Sequence, residues 1–188
     1  MGTKGEKNRK QIISIADNLF YEKGFEHTSF TDIADTAGIA RGNFYYYFKT
    51  KDEILSAVLD KRRSDIISML KNWEKDYPDP KSRLKNYVLM LVKSQSNIKN
   101  FGCPLGSLCL ELNKLRHALQ DDANNMFELF QIWLEKQFIA IGQEQDAAFL
   151  SMHLMGRCQG ISVLSSTSSN EDYFNREVEL LQLWINEL

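Results

Sequence analysis

The sequence of 188 residues predicts an all-α fold. Apolar residues recur three and four positions apart along most of the chain, which is the spacing of one face of an α-helix. No segment alternates apolar and polar residues over the length of a β-strand, and glycines and prolines separate the periodic segments. These patterns predict about nine helices in two domains, residues 1–50 and residues 51–188.

Three helices are predicted in the first domain. The first covers residues 6–23 and stops at Gly24, a residue type that favours helix ends. The second covers residues 31–36, with Thr31 as its cap, and the third covers Arg41–Tyr47. Gly38 permits a left-handed turn between the second and third helices. This arrangement is a helix-turn-helix, and it indicates binding to DNA.

A longer helix is predicted over Lys51–Asp76. Thr50 and Glu53 form a capping box at its start, in which each side chain satisfies a free backbone N–H. At about 25 residues the helix would span roughly 38 Å, enough to join two modules. Further helices are predicted over residues 81–96, 105–115, 121–141, 145–165 and 172–188, with a serine-rich loop at residues 165–170.

The net charge of −2 does not argue against DNA binding. Residues 1–63 hold 11 Lys/Arg against 9 Asp/Glu, whereas residues 64–188 hold 12 against 16. Salt screens charges more than about 8 to 10 Å apart, so phosphate binding depends on local charge. The basic residues of the first domain lie near its start and around the third helix, at Lys4, Lys7, Arg9, Lys10, Arg41, Lys49 and Lys51.

The chain shows neither a targeting leader nor an apolar run of roughly 18 residues, so we expect a cytoplasmic protein. It contains no Gly-rich phosphate loop, nucleophile elbow or HExxH sequence, and we expect no enzymatic activity. His117 and His153 have no second ligand at metal spacing. We therefore expect neither a metal nor a cofactor.

Cys103, Cys109 and Cys158 form neither a CxxC pair nor an even set, so we expect reduced thiols. Cys103 precedes a predicted helix. Because reaction requires a thiolate, which a helix N-terminus favours, Cys103 is a candidate sensor of thiol-reactive compounds. The alternative for each cysteine is a small residue of the apolar core.

Four segments of the first 55 residues form a recognisable pattern. They are Leu19-Phe20-Tyr21-Glu22-Lys23-Gly24-Phe25, Thr28-Ser29-Phe30-Thr31-Asp32-Ile33-Ala34, Ala37-Gly38-Ile39 and Gly42-Asn43-Phe44-Tyr45-Tyr46-Tyr47-Phe48-Lys49-Thr50-Lys51-Asp52-Glu53-Ile54-Leu55. With this pattern, residues 8–55 resemble the DNA-binding domain of the TetR/AcrR family of bacterial one-component repressors. The resemblance implies three DNA-binding helices followed by about six regulatory ones, with the third helix in the major groove.

By position, the resemblance implies base contacts at the start of the third helix, from Arg41, Gly42, Asn43 and Tyr45, with Arg41 able to pair with guanine. It implies phosphate contacts from Thr28, Thr31, Tyr46, Tyr47 and Lys51. Phe44 and Phe48 are expected to face inward instead. Two positions depart from the family pattern. Ala40 replaces a serine or threonine cap, which weakens the helix start by about 0.5 to 2 kcal/mol, and Tyr47 replaces a frequent histidine.

The second domain is predicted to bind an effector and a second copy of the chain. Its aromatic and methionine side chains suit an apolar ligand cavity, although core packing explains most of them. The candidate effector-binding residues are Trp73, Cys103, Glu111, Phe130, Trp133, Met152, His153 and Arg157. The last two helices are expected to pack against their mates as a four-helix bundle, with Gly156, Gly160 and Trp184 as candidate contacts.

Together these observations predict a homodimeric, ligand-responsive repressor. A small-molecule or thiol-reactive effector would release it from a palindromic operator on double-stranded DNA. The alternatives are a transcriptional activator or constitutive regulator of the same fold, and a helical module that binds protein instead of DNA.

Overall fold

A computed structural model of the chain describes residues 4–168 and 170–188, and the side chains of Arg41 and Glu171 lie outside that description. The described residues form ten α-helices and no β-strand, which confirms the predicted all-α class. The helices are α1 Lys4–Lys23, α2 Phe30–Thr36, α3 Arg41–Tyr47, α4 Lys51–Asp76, α5 Pro80–Lys93, α6 Gln95–Phe101, α7 Pro104–Lys114, α8 Gln120–Ala140, α9 Ala147–Thr167 and α10 Glu171–Glu187. None of the helices in this described part has an apolar stretch long enough to cross a bilayer.

The chain divides into two compact units whose boundary differs from the predicted one at residue 50. The first unit comprises the chain up to Asp65 together with Ser107–Ala123, and the second comprises Ile66–Gly106 and Asn124–Leu188. The boundary therefore falls within α4. Ile54, Leu55 and Val58 of α4 are fully buried, so the first half of this helix belongs to the core of the first unit.

The core of the first unit is built from the apolar face of each short helix. Ile12 of α1, Ile33 of α2 and Phe44 of α3 are fully buried, and Phe48 directly after α3 is nearly so. The inward orientation expected for Phe44 and Phe48 is therefore confirmed. The ring of Phe44 packs edge-to-face against Phe30, with 4.8 Å between the ring centroids. Such aromatic pairs stabilise a core beyond the area they bury.

The cap of α2 is Ser29, not Thr31. The Ser29 hydroxyl accepts a hydrogen bond from the Asp32 N–H at 3.0 Å, and the Asp32 carboxylate accepts one from the Ser29 N–H at 2.8 Å. These contacts complete a capping box one turn long. Hydrogen bonds from the Ser29 hydroxyl and N–H also lower the pKa of the Asp32 carboxyl.

Of the two hydrogen bonds predicted for the capping box at the start of α4, one is present. The Thr50 hydroxyl accepts a hydrogen bond from the Glu53 N–H at 3.1 Å, as predicted. The Glu53 carboxylate, however, accepts from the Lys49 N–H at 2.7 Å, one residue before the expected donor. Both bonds hold the chain between α3 and α4 in a fixed turn.

The second unit has its own apolar core. Leu84 of α5, Leu134 and Phe138 of α8, Leu154 of α9 and Leu181 of α10 are all fully buried. The single helix predicted over residues 81–96 is divided at position 94 into α5 and the short α6.

The end of α9 also differs from the prediction. The helix continues to Thr167, so Ser165 lies within it and is buried instead of opening a polar loop. Of the remaining loop residues, Ser169 lies outside the described part of the chain.

Candidate nucleic-acid interface and effector region

The turn between α2 and α3 depends on a glycine. Gly38 has a φ of +64°, which confirms the predicted left-handed turn. A Cβ added at this position would meet no heavy atom of the residues that the structure describes within 4 Å, so the backbone conformation favours glycine here. The Gly38 N–H donates to the Asp35 carbonyl at 3.1 Å and the Ile39 N–H donates to the Ala34 carbonyl at 3.2 Å, which closes the end of α2.

The start of α3 has no side-chain cap. Ala40 occupies the N-cap position with φ −53° and ψ 135°, and no side chain accepts the first N–H groups of the helix. The Ala40 carbonyl accepts hydrogen bonds from the N–H groups of Asn43 and Phe44 at 2.8 and 3.0 Å. The helix therefore begins with correct backbone geometry but with free backbone donors at the end predicted to enter DNA.

Replacing Ala40 with serine is expected to stabilise the protein by about 0.5 to 2 kcal/mol, because the hydroxyl can accept a hydrogen bond from a free N–H of α3. The free energy of urea-induced unfolding of the full chain measures this gain. Ser29→Ala is the matched control and is expected to lose a similar amount, since it removes the cap that α2 already has. Equal stability of wild type and Ala40→Ser would show that the start of α3 needs no cap.

The exposed face of α3 carries the predicted DNA contacts. Gly42 and Asn43 are exposed, and Tyr46 has 82% of its surface accessible. Tyr45 is half exposed, and its ring stacks on Phe30 with 5.0 Å between the centroids. The side chain of Arg41, the predicted guanine contact, lies outside the described residues.

The end of α3 is tied to the start of α1. The Asn8 amide nitrogen donates a hydrogen bond to the Tyr47 hydroxyl at 2.9 Å, and the Arg9 guanidinium lies 4.9 Å from the centre of the Phe48 ring. The Tyr47 hydroxyl keeps its own proton, which can be donated to a phosphate oxygen. Asn8 was not identified from the sequence, because a lone asparagine in a helix carries no pattern that points to a partner 39 residues away.

The structure corrects the predicted phosphate contact from Thr28. Its side chain is fully buried, and its hydroxyl donates to the Gly24 carbonyl at 2.7 Å, with the Leu19 carbonyl at 3.3 Å. Thr28 therefore closes the end of α1 and cannot reach DNA.

Lys51 is also engaged within the first unit. Its ammonium group donates to the Phe25 carbonyl at 2.9 Å and lies 4.1 Å from the centre of the Phe25 ring. The expected phosphate contact from its backbone N–H, at the start of α4, stays a prediction. So does the contact from the half-buried Thr31.

Glu111 was predicted to orient an effector, but it lies in the first unit and both its carboxylate oxygens are occupied. They accept hydrogen bonds from the N–H groups of Phe25 and Glu26, each at 2.9 Å. These donors follow Gly24, whose φ of +88° turns the chain at the end of α1. Glu111 thus connects α7 to the turn after α1, and these bonds account for its carboxylate without an effector.

The predicted aromatic effector contacts belong to the core of the second unit. The rings of Trp73 and Trp133 lie 5.6 Å apart, and the Trp133 indole N–H donates to the Glu74 carboxylate at 2.9 Å. Phe130 packs against Tyr87, with 5.5 Å between the ring centroids. These contacts account for the aromatic side chains without a ligand.

The other predicted effector contacts, Met152, His153 and Arg157, lie along α9. Met152 is exposed, and His153 packs between Phe149 and Trp184, with ring centroids 6.0 and 5.3 Å away. Arg157 forms an ion pair with Glu177 of α10 at 2.5 Å. This ion pair gives the Arg157 guanidinium a partner within the second unit.

The three cysteines differ in accessibility. Cys103 is half-buried, and its sulfur accepts hydrogen bonds from the Gly106 N–H at 3.4 Å and the Gln159 amide at 3.5 Å. Cys109 is buried and donates to the Ala123 carbonyl. Burial raises the pKa of the Cys158 thiol to about 12. Cys103 is therefore the most accessible thiol of the three.

A cavity of about 340 Å³ lies in the second unit, between α6, the end of α9 and the start of α10. Its walls are formed by other residues than those predicted to bind an effector: Gln95, Ser96, Lys99, Ser165, Ser168, Asn170 and Phe174. These residues could not be grouped from the sequence, because they come from α6, α9 and α10 and from positions between α9 and α10. The serine-rich composition near residue 165 was the one available signal.

Comparison with known proteins agrees with this architecture. Residues 12–58 match the family described as bacterial regulatory proteins, tetR family. An uncharacterized HTH-type transcriptional regulator in the lacX 3' region of Lactococcus lactis subsp. lactis is 29% identical over 132 residues, or 65% of this chain and 64% of the relative. This chain therefore spans slightly less than two thirds of that relative.

Two further similarities extend over more of the chain. The HTH-type transcriptional repressor DhaR of a Mycobacterium species is 24% identical over 139 residues, which cover 72% of this chain and 67% of DhaR. The crystal structure of a TetR-family transcriptional regulator from Cytophaga hutchinsonii shares the fold, with a TM-score of 0.83 and 21% identity over 100% of this chain and 98% of that one. Residues 12–58 thus carry the helix-turn-helix of the tetR family of bacterial regulatory proteins, and the chain as a whole has the helical fold of solved TetR-family regulators.

Proposed function

We propose that this regulator is a homodimeric repressor that binds a near-palindromic operator through α3 and leaves it when an effector binds the second unit. The main support for this proposal is the exposed face of α3. Gly42, Asn43 and Tyr46 are exposed on a helix whose other face is anchored by the buried Phe44. An exposed α-helix fits the major groove, where an asparagine side chain can pair with adenine.

An apolar face on α9 supports the homodimer. Phe149, Met152 and Val163 are exposed, and Phe149 has 69% of its surface accessible. With Gly156 and Gly160 they lie three or four positions apart, on one side of the helix. Exposed apolar residues also continue on α10 at Leu180 and Leu183. Contiguous apolar surface of this kind marks an interface, and a two-fold dimer would present two recognition helices to successive major grooves.

Release from DNA is proposed to be a shift between two populations of the dimer. An effector that binds more tightly to the form whose recognition helices do not match the groove spacing would lower the affinity for DNA. A reagent that modifies Cys103, the most accessible of the three thiols, would act in the same way. Both routes require that the effector distinguish the two forms.

DNA binding is tested by selecting duplexes from a random pool with the full chain and measuring affinity at several salt concentrations. We expect a palindromic sequence and a steep loss of affinity as salt rises, because bound phosphates release counterions. Asn43→Ala is expected to cost about 1 to 3 kcal/mol on the selected duplex. Asn125→Ala, an exposed change on α8, is the control and is expected to leave affinity unchanged. Absence of salt-dependent binding would favour the protein-interaction alternative.

Effector response is tested on the same complex with a panel of small molecules and a thiol-reactive agent. Release by a thiol-reactive agent from wild type but not from Cys103→Ser would identify Cys103 as the reactive group. An unchanged response of Cys103→Ser would exclude it. A complex that survives every compound would favour the constitutive regulator.

A further inference from the structure

The first turns of α1 contact the end of α3 through two consecutive residues. The Asn8 amide nitrogen donates to the Tyr47 hydroxyl at 2.9 Å, and the Arg9 guanidinium lies 4.9 Å from the centre of the Phe48 ring. The Phe48 ring is buried, so its position is fixed by the core of the first unit. These contacts join the start of α1 to the last residue of the helix that is predicted to enter the major groove.

The contact with Asn8 decides the direction in which the Tyr47 hydroxyl can donate. A phenolic oxygen carries one proton and accepts hydrogen bonds only in the directions that this proton does not occupy. Because the Asn8 N–H points at the oxygen, the hydroxyl proton must turn away from Asn8. The proton is then available to an acceptor outside the protein, such as a phosphate oxygen.

The same contact also makes the Tyr47 hydroxyl a better donor. Hydrogen bonds in a chain polarise one another, and a phosphate is a charged acceptor. The Asn8 amide, the Tyr47 hydroxyl and a phosphate oxygen would form such a chain. Tyr47 is half-buried, whereas Tyr46 beside it has 82% of its surface accessible. The Tyr47 side chain is therefore already held in the free protein, which lowers the entropy cost of binding.

The alternative is that this hydrogen bond only joins α1 to α3. Buried apolar residues already do so, since Ile12 of α1 and Phe44 of α3 are both fully buried in the core of the first unit. A role in attachment would be served by a hydrogen bond of either direction. A role in orientation requires a donor at position 8, because only a donor turns the Tyr47 proton outward.

We propose that Asn8 is a positioning residue for DNA binding, whose amide N–H directs the Tyr47 proton away from α1 and toward a phosphate of the operator. The inference rests on the proposed function, because it concerns a contact with DNA. Asn8 acts through Tyr47 and not by its own contact. Since phosphate contacts carry no sequence information, Asn8 affects the affinity and not the choice of operator sequence.

A double-mutant cycle with the full chain and the selected duplex tests the proposal. Tyr47→Phe removes the hydroxyl and is expected to weaken binding about tenfold or more, the loss of one hydrogen bond to a charged acceptor. Asn8→Ala is expected to weaken binding several-fold in the wild-type chain, but by less than about twofold in Tyr47→Phe, where no hydroxyl is left to direct. Asn18→Ala is the matched control, an exposed asparagine about 15 Å further along α1, and is expected to leave affinity unchanged.

Asn8→Asp separates orientation from attachment. The carboxylate has the shape of the amide but can only accept, so it takes the Tyr47 proton and leaves none for the phosphate. We therefore expect Asn8→Asp to weaken binding more than Asn8→Ala does. Part of this loss is repulsion between the carboxylate and DNA, which Asn8→Asp in the Tyr47→Phe chain measures by itself. Equal losses for Asn8→Asp with and without the Tyr47 hydroxyl would overturn the role in orientation.

The salt dependence of binding shows whether α3 still docks in the same way. Asn8 is uncharged, so Asn8→Ala is expected to leave the slope of log affinity against log salt concentration unchanged. A shallower slope would mean that contacts from lysine and arginine were lost as well, as expected if Asn8 only held α1 in place, and it would overturn the proposal. Circular dichroism of each variant is expected to show the helical signal of wild type.

The outcomes separate this inference from the proposed function. Equal losses for Asn8→Ala with and without the Tyr47 hydroxyl, on a duplex that wild type binds, would overturn the inference alone. Unchanged affinity of Tyr47→Phe would also overturn it alone, because no phosphate would then depend on the hydroxyl. A wild-type chain that bound no duplex would overturn both.

Discussion

Replacing Phe44 with alanine is expected to lower the free energy of unfolding by about 3 to 5 kcal/mol, the usual cost of deleting a buried phenylalanine ring. The ring is fully buried and packs 4.8 Å from Phe30, so its removal leaves a cavity beneath α3. With only seven residues, α3 is too short to be stable without this packing. Urea unfolding of the full chain measures the loss, and binding to the selected duplex is expected to disappear with it.

Tyr46→Ala is the matched control for Phe44→Ala. It removes a ring of similar size from the same helix, but this ring is mostly exposed, so we expect a change in stability within about 0.5 kcal/mol. DNA affinity is nevertheless expected to fall, because Tyr46 is a predicted phosphate contact. If the two variants lost equal stability, or if Phe44→Ala lost less than about 1 kcal/mol, α3 would not depend on its buried face in the way described.

The inward orientation of Phe44 and Phe48 could be predicted from the sequence for a physical reason. Apolar residues four positions apart fall on one side of a helix turn, and the Phe48 N–H still donates to the Phe44 carbonyl at 3.3 Å although Phe48 lies just after α3. The hydrophobic effect then favours burial of that side. Gly38 was equally accessible to prediction, since a left-handed backbone at a turn favours glycine. Features that depend on local spacing and backbone conformation can be derived from the sequence in this way.

Features that depend on hydrogen bonds to distant residues could not be derived. Thr28 has the chemistry of a phosphate contact, and only its burial shows that the hydroxyl is used by the Gly24 carbonyl. Glu111 lies 86 positions from Phe25, whose N–H donates to its carboxylate. Ser165 requires knowledge of what is absent, namely a partner for its hydroxyl within the described residues. The sequence shows which hydrogen bonds a side chain can form, but only the tertiary structure shows which of them it forms.

The role of Gly156 and Gly160 in α9 depends both on their spacing in the sequence and on their surroundings in the fold. Their spacing of four was visible in the sequence, but their surroundings were not. Apart from the backbone of its own helix, a Cβ added at Gly156 or at Gly160 would meet no heavy atom of the described residues within 4 Å. Packing within the protomer therefore does not require glycine at either position, although glycine weakens a helix by about 1 kcal/mol relative to alanine. A partner helix that approaches closely would explain why this cost is tolerated.

Replacing Gly156 with arginine is therefore expected to convert the proposed dimer into monomers without unfolding the protomer. The long charged side chain would enter the apolar face that includes Met152 and Val163, while the helix itself gains propensity. Light scattering coupled to gel filtration, at several protein concentrations, measures the molecular mass. Affinity for the palindromic duplex is expected to fall by roughly a hundredfold or more, because the two recognition helices would no longer be linked.

Gly156→Ala isolates the role of size and charge at this position. It adds a single methyl group that meets no described atom of the protomer, so we expect the protomer to gain about 1 kcal/mol of stability and the proposed dimer to be weakened far less than by arginine. Thermal unfolding of both variants separates loss of the dimer from loss of the fold, since monomers that arise by unfolding would also lose their helical signal. A Gly156→Arg protein that remained dimeric with unchanged DNA affinity would move the interface away from this face of α9. Such a result would leave α3 as the DNA-binding element and require another surface to join the two copies.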